Sequence, residues 1–146
     1  MAVRGYAGTR GGFSNGLVTI VYVVYLLAVG ILVFQPDGGG ASGSVTWVSH
    51  LLRSWHAASW LSGPVNVEWG LNVVMFVPLS LLGSTFRPGW TWRDWVGVGF
   101  LVSGLIELTQ LVFLPERTAS FADVVANTLG ALIGALLAQY ATRLIR

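Results

Sequence analysis

The stretch "FADVVANTLGALIGALLAQYATRLI", residues 121–145, decides how this chain is to be read. From Leu129 to Ala138 it is a run of apolar and small residues, and the whole stretch exceeds the roughly 20 mostly apolar residues a membrane-crossing helix needs. Its first turns nevertheless carry Asp123 and Asn127, and Arg117 stands just ahead of it. Such groups are costly when they face lipid. The helix is therefore expected to have two halves, one presenting polar side chains to other helices and one packing through glycine and alanine.

The remainder of the chain agrees with a membrane reading. Of 146 residues, 54% are hydrophobic and 10% charged, with a mean hydropathy of +0.71. Those values lie outside the range of soluble globular domains. Cysteine is absent, which removes disulfides, thiolate nucleophiles and thiolate metal sites. The eight basic residues are all Arg, and the net charge of +2 is scattered, so nothing points to nucleic acid. A chain of this length is expected to form a single bundle.

Four apolar stretches are candidate spans: about 17–34, 64–83, 95–114 and 121–145. The second is short if begun at Glu68, but Pro is tolerated in the first turn of a helix, so it extends back to Pro64. The fold class that follows is an all-α integral membrane protein, four transmembrane helices in one bundle with a short interfacial helix in the first outer loop, 35–63. With the N-terminus cytoplasmic, the inner segments hold Arg4, Arg10, Arg87, Arg93, Arg143 and Arg146, and the outer loops only Arg53 and Arg117. That asymmetry places both termini inside. The first span is read as a retained helix, because its apolar run is long for a signal peptide and no clear A-x-A site follows it.

The outer loop opens with "PDGGGASGS", the chemistry of turns and flexible linkers. In "VTWVSHLLRSWHAASWL" that follows, Val48, Leu51, Leu52 and Trp55 cluster on one helical face, with His50, Arg53 and Ser54 opposite. A helix lying in the outer headgroup zone is expected there, anchored by Trp47, Trp55 and Trp60. His50 and His56 are six apart and fall on different faces of a helix, so no metal site is expected from them.

The polar residues inside the spans share a level. Glu68 and Asn72, four apart, project from one face near the outer end of the second span. Ser103, Glu107 and Gln110 share a face of the third, with Glu107 roughly 10 Å below the outer surface at 1.5 Å per residue. Asp123, Asn127, Gly130 and Gly134 fall within a narrow band on the fourth, and Arg117 lies in the outer turn before it. Ionisable groups on three helices at one depth are expected to face one another and build an outward-facing polar pocket. Arg117 could pair with a carboxylate there or hold an anionic part of a ligand.

Plainer readings stand beside this one. Asn72, Ser103, Gln110 and Asn127 also suit interhelical hydrogen bonding. Glu68 also suits a first-turn acid favoured by the helix dipole. Gly130 and Gly134 make a small-xxx-small packing seam, through which a homodimer could form. Pro78 is expected to kink its helix and free a backbone carbonyl. Asp94 and Glu116 read as loop charges.

Three blocks, "EWGLNVVMFVPLSLLG", "SGLIELTQ" and "RTASFADVVANTLGALIG", together resemble, in order and spacing, the VanZ-like family of small bacterial membrane proteins. On that resemblance Glu68, Asn72, Phe76, Pro78, Glu107, Gln110, Arg117, Asp123 and Asn127 occupy the family's motif positions. Ser80 stands where the family often has Gly, and Ser120 where many members have a further Asp, which weakens any paired-aspartate metal site. The resemblance implies a setting at the bacterial cell envelope, since the founding member is associated with resistance to teicoplanin, a glycopeptide acting on the outer face of the cell membrane.

In that setting the polar cluster is expected to bind a lipid-linked envelope molecule and is a candidate to modify it. Glu68, Asn72, Gln110, Arg117 and Asn127 would hold its head, with Glu107 as general acid or base and Asp123 orienting Arg117 or assisting. The cofactor is left open. A second reading is a non-catalytic scaffold whose polar residues only hold the bundle together. Proton or ion carriage through Glu107 ranks last, because the inner halves of the third and fourth spans are apolar.

Overall fold

The computed structural model describes residues 10–35, 39–116 and 118–144, and the side chains of all of these except 10–15 and 39–41. The described residues form six helices and no strand: α1 (Arg10–Val33), α2 (Gly39–Ser54), α3 (Ser59–Ser62), α4 (Pro64–Gly83), α5 (Trp92–Phe113) and α6 (Phe121–Leu144). Of these, α1, α4, α5 and α6 are long and apolar enough to cross a membrane. They coincide with the four expected spans. α4 begins at Pro64, where the fixed φ of proline suits the first helical position.

The helices are not equal in rank. The apolar window of α6 is 44% buried inside the protein and that of α1 only 6%. α6 is the central helix, with α4 and α5 packed on it, while α1 leans on α4. The outward faces are apolar, as at Leu27 and Ile31 on α1 and Leu105, Leu108 and Val112 on α5. Lipid is the solvent that makes such a surface stable, because it demands apolar side chains where water would reject them.

Small residues let the central helices approach. A Cβ added at Gly130 would meet the Val73 carbonyl and the Cβ of Phe76, and one at Gly134 would meet the Val77 carbonyl and Ser80 Oγ. The glycine seam of α6 thus lies directly against the backbone of α4. This corrects the expectation of a dimer through Gly130 and Gly134: both glycines are buried against a helix of their own chain, and the surface is already occupied. Between the two helices Ser80 Oγ donates to the Ala131 carbonyl at 2.6 Å, fully buried. Ser80, marked in the sequence as a departure from glycine, therefore fills the space opened by Gly134.

Pro78 is accommodated without ending α4. Proline removes the N–H that would serve the Val74 carbonyl and crowds the preceding turn. On either side of it, α1 supplies hydroxyl donors: Tyr25 to the Met75 carbonyl, and Tyr22 to the Leu79 carbonyl at 3.0 Å. These bonds tie the peripheral helix to the core pair. Neither tyrosine stood out in the sequence.

Two local expectations are overturned. The glycine-rich run read as a flexible linker is helical from Gly39, so α2 is longer than the tryptophan-containing stretch alone. Glycine costs about 1 kcal/mol per position against alanine in a helix; on the bundle side of α2, Val45 and Leu52 are half-buried and Ser49 is buried. Ser49 is the most buried of these, and Trp47, Trp55 and Trp60, the expected interfacial anchors, are all exposed. Trp55 follows the last helical residue, where the chain closes in a Schellman motif. His56 has φ of +56°, its N–H donates to the Arg53 carbonyl at 3.0 Å, and the Ala57 N–H reaches back to Leu52 at 3.0 Å. Asp94, read as a loop charge, instead caps α5. Its Oδ2 accepts from the Thr91 N–H at 2.7 Å and from the Thr91 hydroxyl at 2.8 Å, the reciprocal half of a capping box.

Candidate functional site: a polar cavity at one end of the bundle

A cavity of about 250 Å³ lies where the C-terminal ends of α1 and α5 meet the N-terminal ends of α2, α4 and α6. Six polar side chains named from the sequence line it: Glu68 and Asn72 from α4, Glu107 and Gln110 from α5, Asp123 and Asn127 from α6. The seventh, Arg117, lies outside the described residues. Leu32 and Val33 of α1, Val45 of α2, Leu71, Val74 and Met75 of α4 and Ile106 of α5 complete a largely apolar wall.

Each helix brings its residues to the cavity by spacing. On α5, Gly99, Ser103, Glu107 and Gln110 recur at intervals of four, four and three, and all are buried. That face packs against α6, where a Cβ at Gly99 would collide with that of Ala131. On α6, Asp123 and Asn127 are four apart and continue into the glycine seam. Close packing in the lower half therefore sets where the polar side chains stand in the upper half. On α4, Asn72 is half-buried and Glu68 exposed at the rim.

The polar groups bond across helix boundaries. Asn72 Nδ2 donates to Asp123 Oδ1 at 2.7 Å, joining α4 to α6. Asn127 Nδ2 donates to Ser103 Oγ at 2.8 Å, joining α6 to α5, and both residues are buried. Gln110 Nε2 donates to the Val33 carbonyl at 2.9 Å, serving one of the carbonyls left open at the C-terminus of α1. The N–H of Ser120 donates to Glu107 Oε2 at 2.7 Å. Ser120 caps α6, since its carbonyl accepts from the N–H groups of Asp123 and Val124. A carboxylate of α5 thus sits at the N-terminus of α6, where the helix dipole favours negative charge, and Asp123 occupies the first turn of the same helix.

The sequence reading did not name the contribution of α2, nor did it show which atom of Asn127 is left without a partner. Ser44 and Val45 of α2 line the cavity, and they fall where the glycine-rich run was read as linker. Asn127 Oδ1 is buried and has no hydrogen-bond partner. Among the described residues no group of three or more His, Asp or Glu is arranged to hold a metal ion. The chemistry present is that of carboxylates, amides and an apolar wall, suited to an amphiphile.

The family model for VanZ/LLP1 matches residues 20–144, nearly the whole chain and all of α4, α5 and α6. Among curated proteins and among solved structures, nothing matches.

Proposed function

The chain belongs to the VanZ/LLP1 family, and from that premise we propose that this multi-pass membrane protein binds a lipid-linked cell-envelope molecule in the cavity, with its polar head among the six side chains and its lipid tail along the apolar wall. One observation carries the reading: Glu68, Asn72, Glu107, Gln110, Asp123 and Asn127, from three helices, line one cavity that also has an apolar face. Polar side chains at membrane depth are costly, and side chains gathered there usually mark a ligand path.

The distribution of Arg supports a cavity opening on the outer face of the bacterial membrane, with both termini cytoplasmic. A glycopeptide such as teicoplanin acts on that face, so altered tolerance of it is the phenotype to follow. If the bound molecule is modified, Glu107 serves as general acid or base, with one of its oxygens held by the Ser120 N–H. Asp123 and Arg117 then orient the head.

The test is the lipid that accompanies the protein. Mass analysis of the purified protein is expected to find a discrete envelope lipid enriched over bulk phospholipid, and to lose it in Glu107→Gln and Asp123→Asn. A parent protein that carries only bulk phospholipid, or variants that retain the same lipid, overturns the proposal. The scaffold reading has one observation in its favour: the bonds Asn72–Asp123, Asn127–Ser103 and Gln110–Val33 all join different helices. It expects the same substitutions to lower stability and to leave lipid content and drug tolerance unchanged.

A further inference from the structure

We infer, resting on the reading above that the cavity binds an amphiphile, that the cavity selects a head group presenting hydrogen-bond donors, a glycosyl hydroxyl or an ammonium N–H, and that Asn127 Oδ1 is the acceptor that reads it. Asn127 is 3% exposed and lines the cavity, and its Oδ1 has no partner. A buried amide oxygen left unsatisfied is costly, and a ligand donor would recover that cost. Such orphaned groups are uncommon in folded proteins, and of the three among the described residues, Ser49 Oγ, Trp95 Nε1 and Asn127 Oδ1, the last alone belongs to a residue that lines this cavity.

Each amide nitrogen around the cavity already has one N–H committed to the protein itself. Asn127 Nδ2 is engaged with Ser103, Asn72 Nδ2 with Asp123, and Gln110 Nε2 with the Val33 carbonyl. Each amide keeps one further N–H, while the acceptors of the lining include Asn127 Oδ1 and the carboxylates of Glu68, Glu107 and Asp123. Among the described residues the lining holds three carboxylates and no cationic side chain, so an anionic, acceptor-only head such as a bare phosphate ester does not match it. A head bearing O–H or N–H groups does, and the apolar wall of Leu71, Val74 and Ile106 accommodates its chain.

The orientation of the Asn127 amide gives a sharp test, because Ser103 can either donate or accept. Asn127→Asp keeps an oxygen at the position of Oδ1 and lets the other accept from Ser103, whereas Asn127→Leu removes the acceptor. Binding of an alkyl glucoside, an alkylamine and an alkyl phosphate of equal chain length would be measured by calorimetry on the full chain in lipid nanodiscs. The parent is expected to bind the glucoside or the amine about tenfold more tightly than the phosphate, the gain of one additional satisfied hydrogen bond. The tighter of the two identifies hydroxyl or ammonium. Asn127→Asp is expected to retain that preference and Asn127→Leu to lose it. A parent that prefers the phosphate, or an Asn127→Asp variant that loses the donor-bearing ligand while remaining folded, overturns this inference and leaves the binding reading standing. Absence of binding by all three probes overturns both.

Discussion

Gly130→Ala is the substitution that tests most directly how the bundle is held together. The new methyl would meet the carbonyl oxygen of Val73 and the Cβ of Phe76, neither of which can move away by a change of rotamer. α4 and α6 must part, which places the strain near the upper end of the about 1–3 kcal/mol typical of overpacked cores. Separation also weakens the contacts of Ser80, whose hydroxyl reaches the Ala131 carbonyl across the same seam. Alanine recovers about 1 kcal/mol of helix propensity over glycine. A net loss of about 2 kcal/mol remains, equivalent to roughly a thirtyfold shift of the unfolding equilibrium. Titration with sodium dodecyl sulfate in mixed micelles, followed by circular dichroism, measures it. Gly104→Ala is the control: it lies on α5, nothing stands within 4 Å of its added Cβ, and the change is expected to be neutral or stabilising by up to about 1 kcal/mol. Equal stability of Gly130→Ala and the parent, or an equal loss in Gly104→Ala, would refute the packing argument.

Two further outcomes follow from individual contacts. Ser80→Ala removes the buried hydroxyl that serves the Ala131 carbonyl and is expected to cost about 1 kcal/mol in the same titration; an unchanged midpoint would mean that the bond contributes nothing net. Asp94→Ala breaks the capping box and is expected to speed amide hydrogen exchange at Thr91, where the capping carboxylate is lost, and in the first turn of α5. Exchange there at the parent's rate would show that the first turn holds without its cap.

Legibility differed from one residue to the next. The grouping of Glu68, Asn72, Glu107, Gln110, Asp123 and Asn127 could be anticipated because three facts are local: helical periodicity assigns a face, distance from the helix end assigns a depth, and lipid forbids polar groups from facing outward. The same logic misjudged α2, whose glycines have linker composition but become helical when the segment packs on the bundle. It passed over Asp94 because a capping role depends on the backbone of Thr91 three residues away, and a span boundary placed at Trp95 left both outside the helix.

The apolar character of four stretches, read against the thickness of a bilayer, by itself determined the number of spans, their approximate bounds and the level at which the polar residues gather. Tertiary structure alone decided which surfaces meet. Gly130 and Gly134 suit a partner helix from any chain, and only the approach of the Val73 and Val77 carbonyls makes that partner α4. Tyr22 and Tyr25 become anchors only because the carbonyls flanking Pro78 stand opposite them. The orphaned oxygen of Asn127 is likewise a fact of three dimensions, since an amide carries the same donors and acceptors everywhere and its neighbours alone settle which are used.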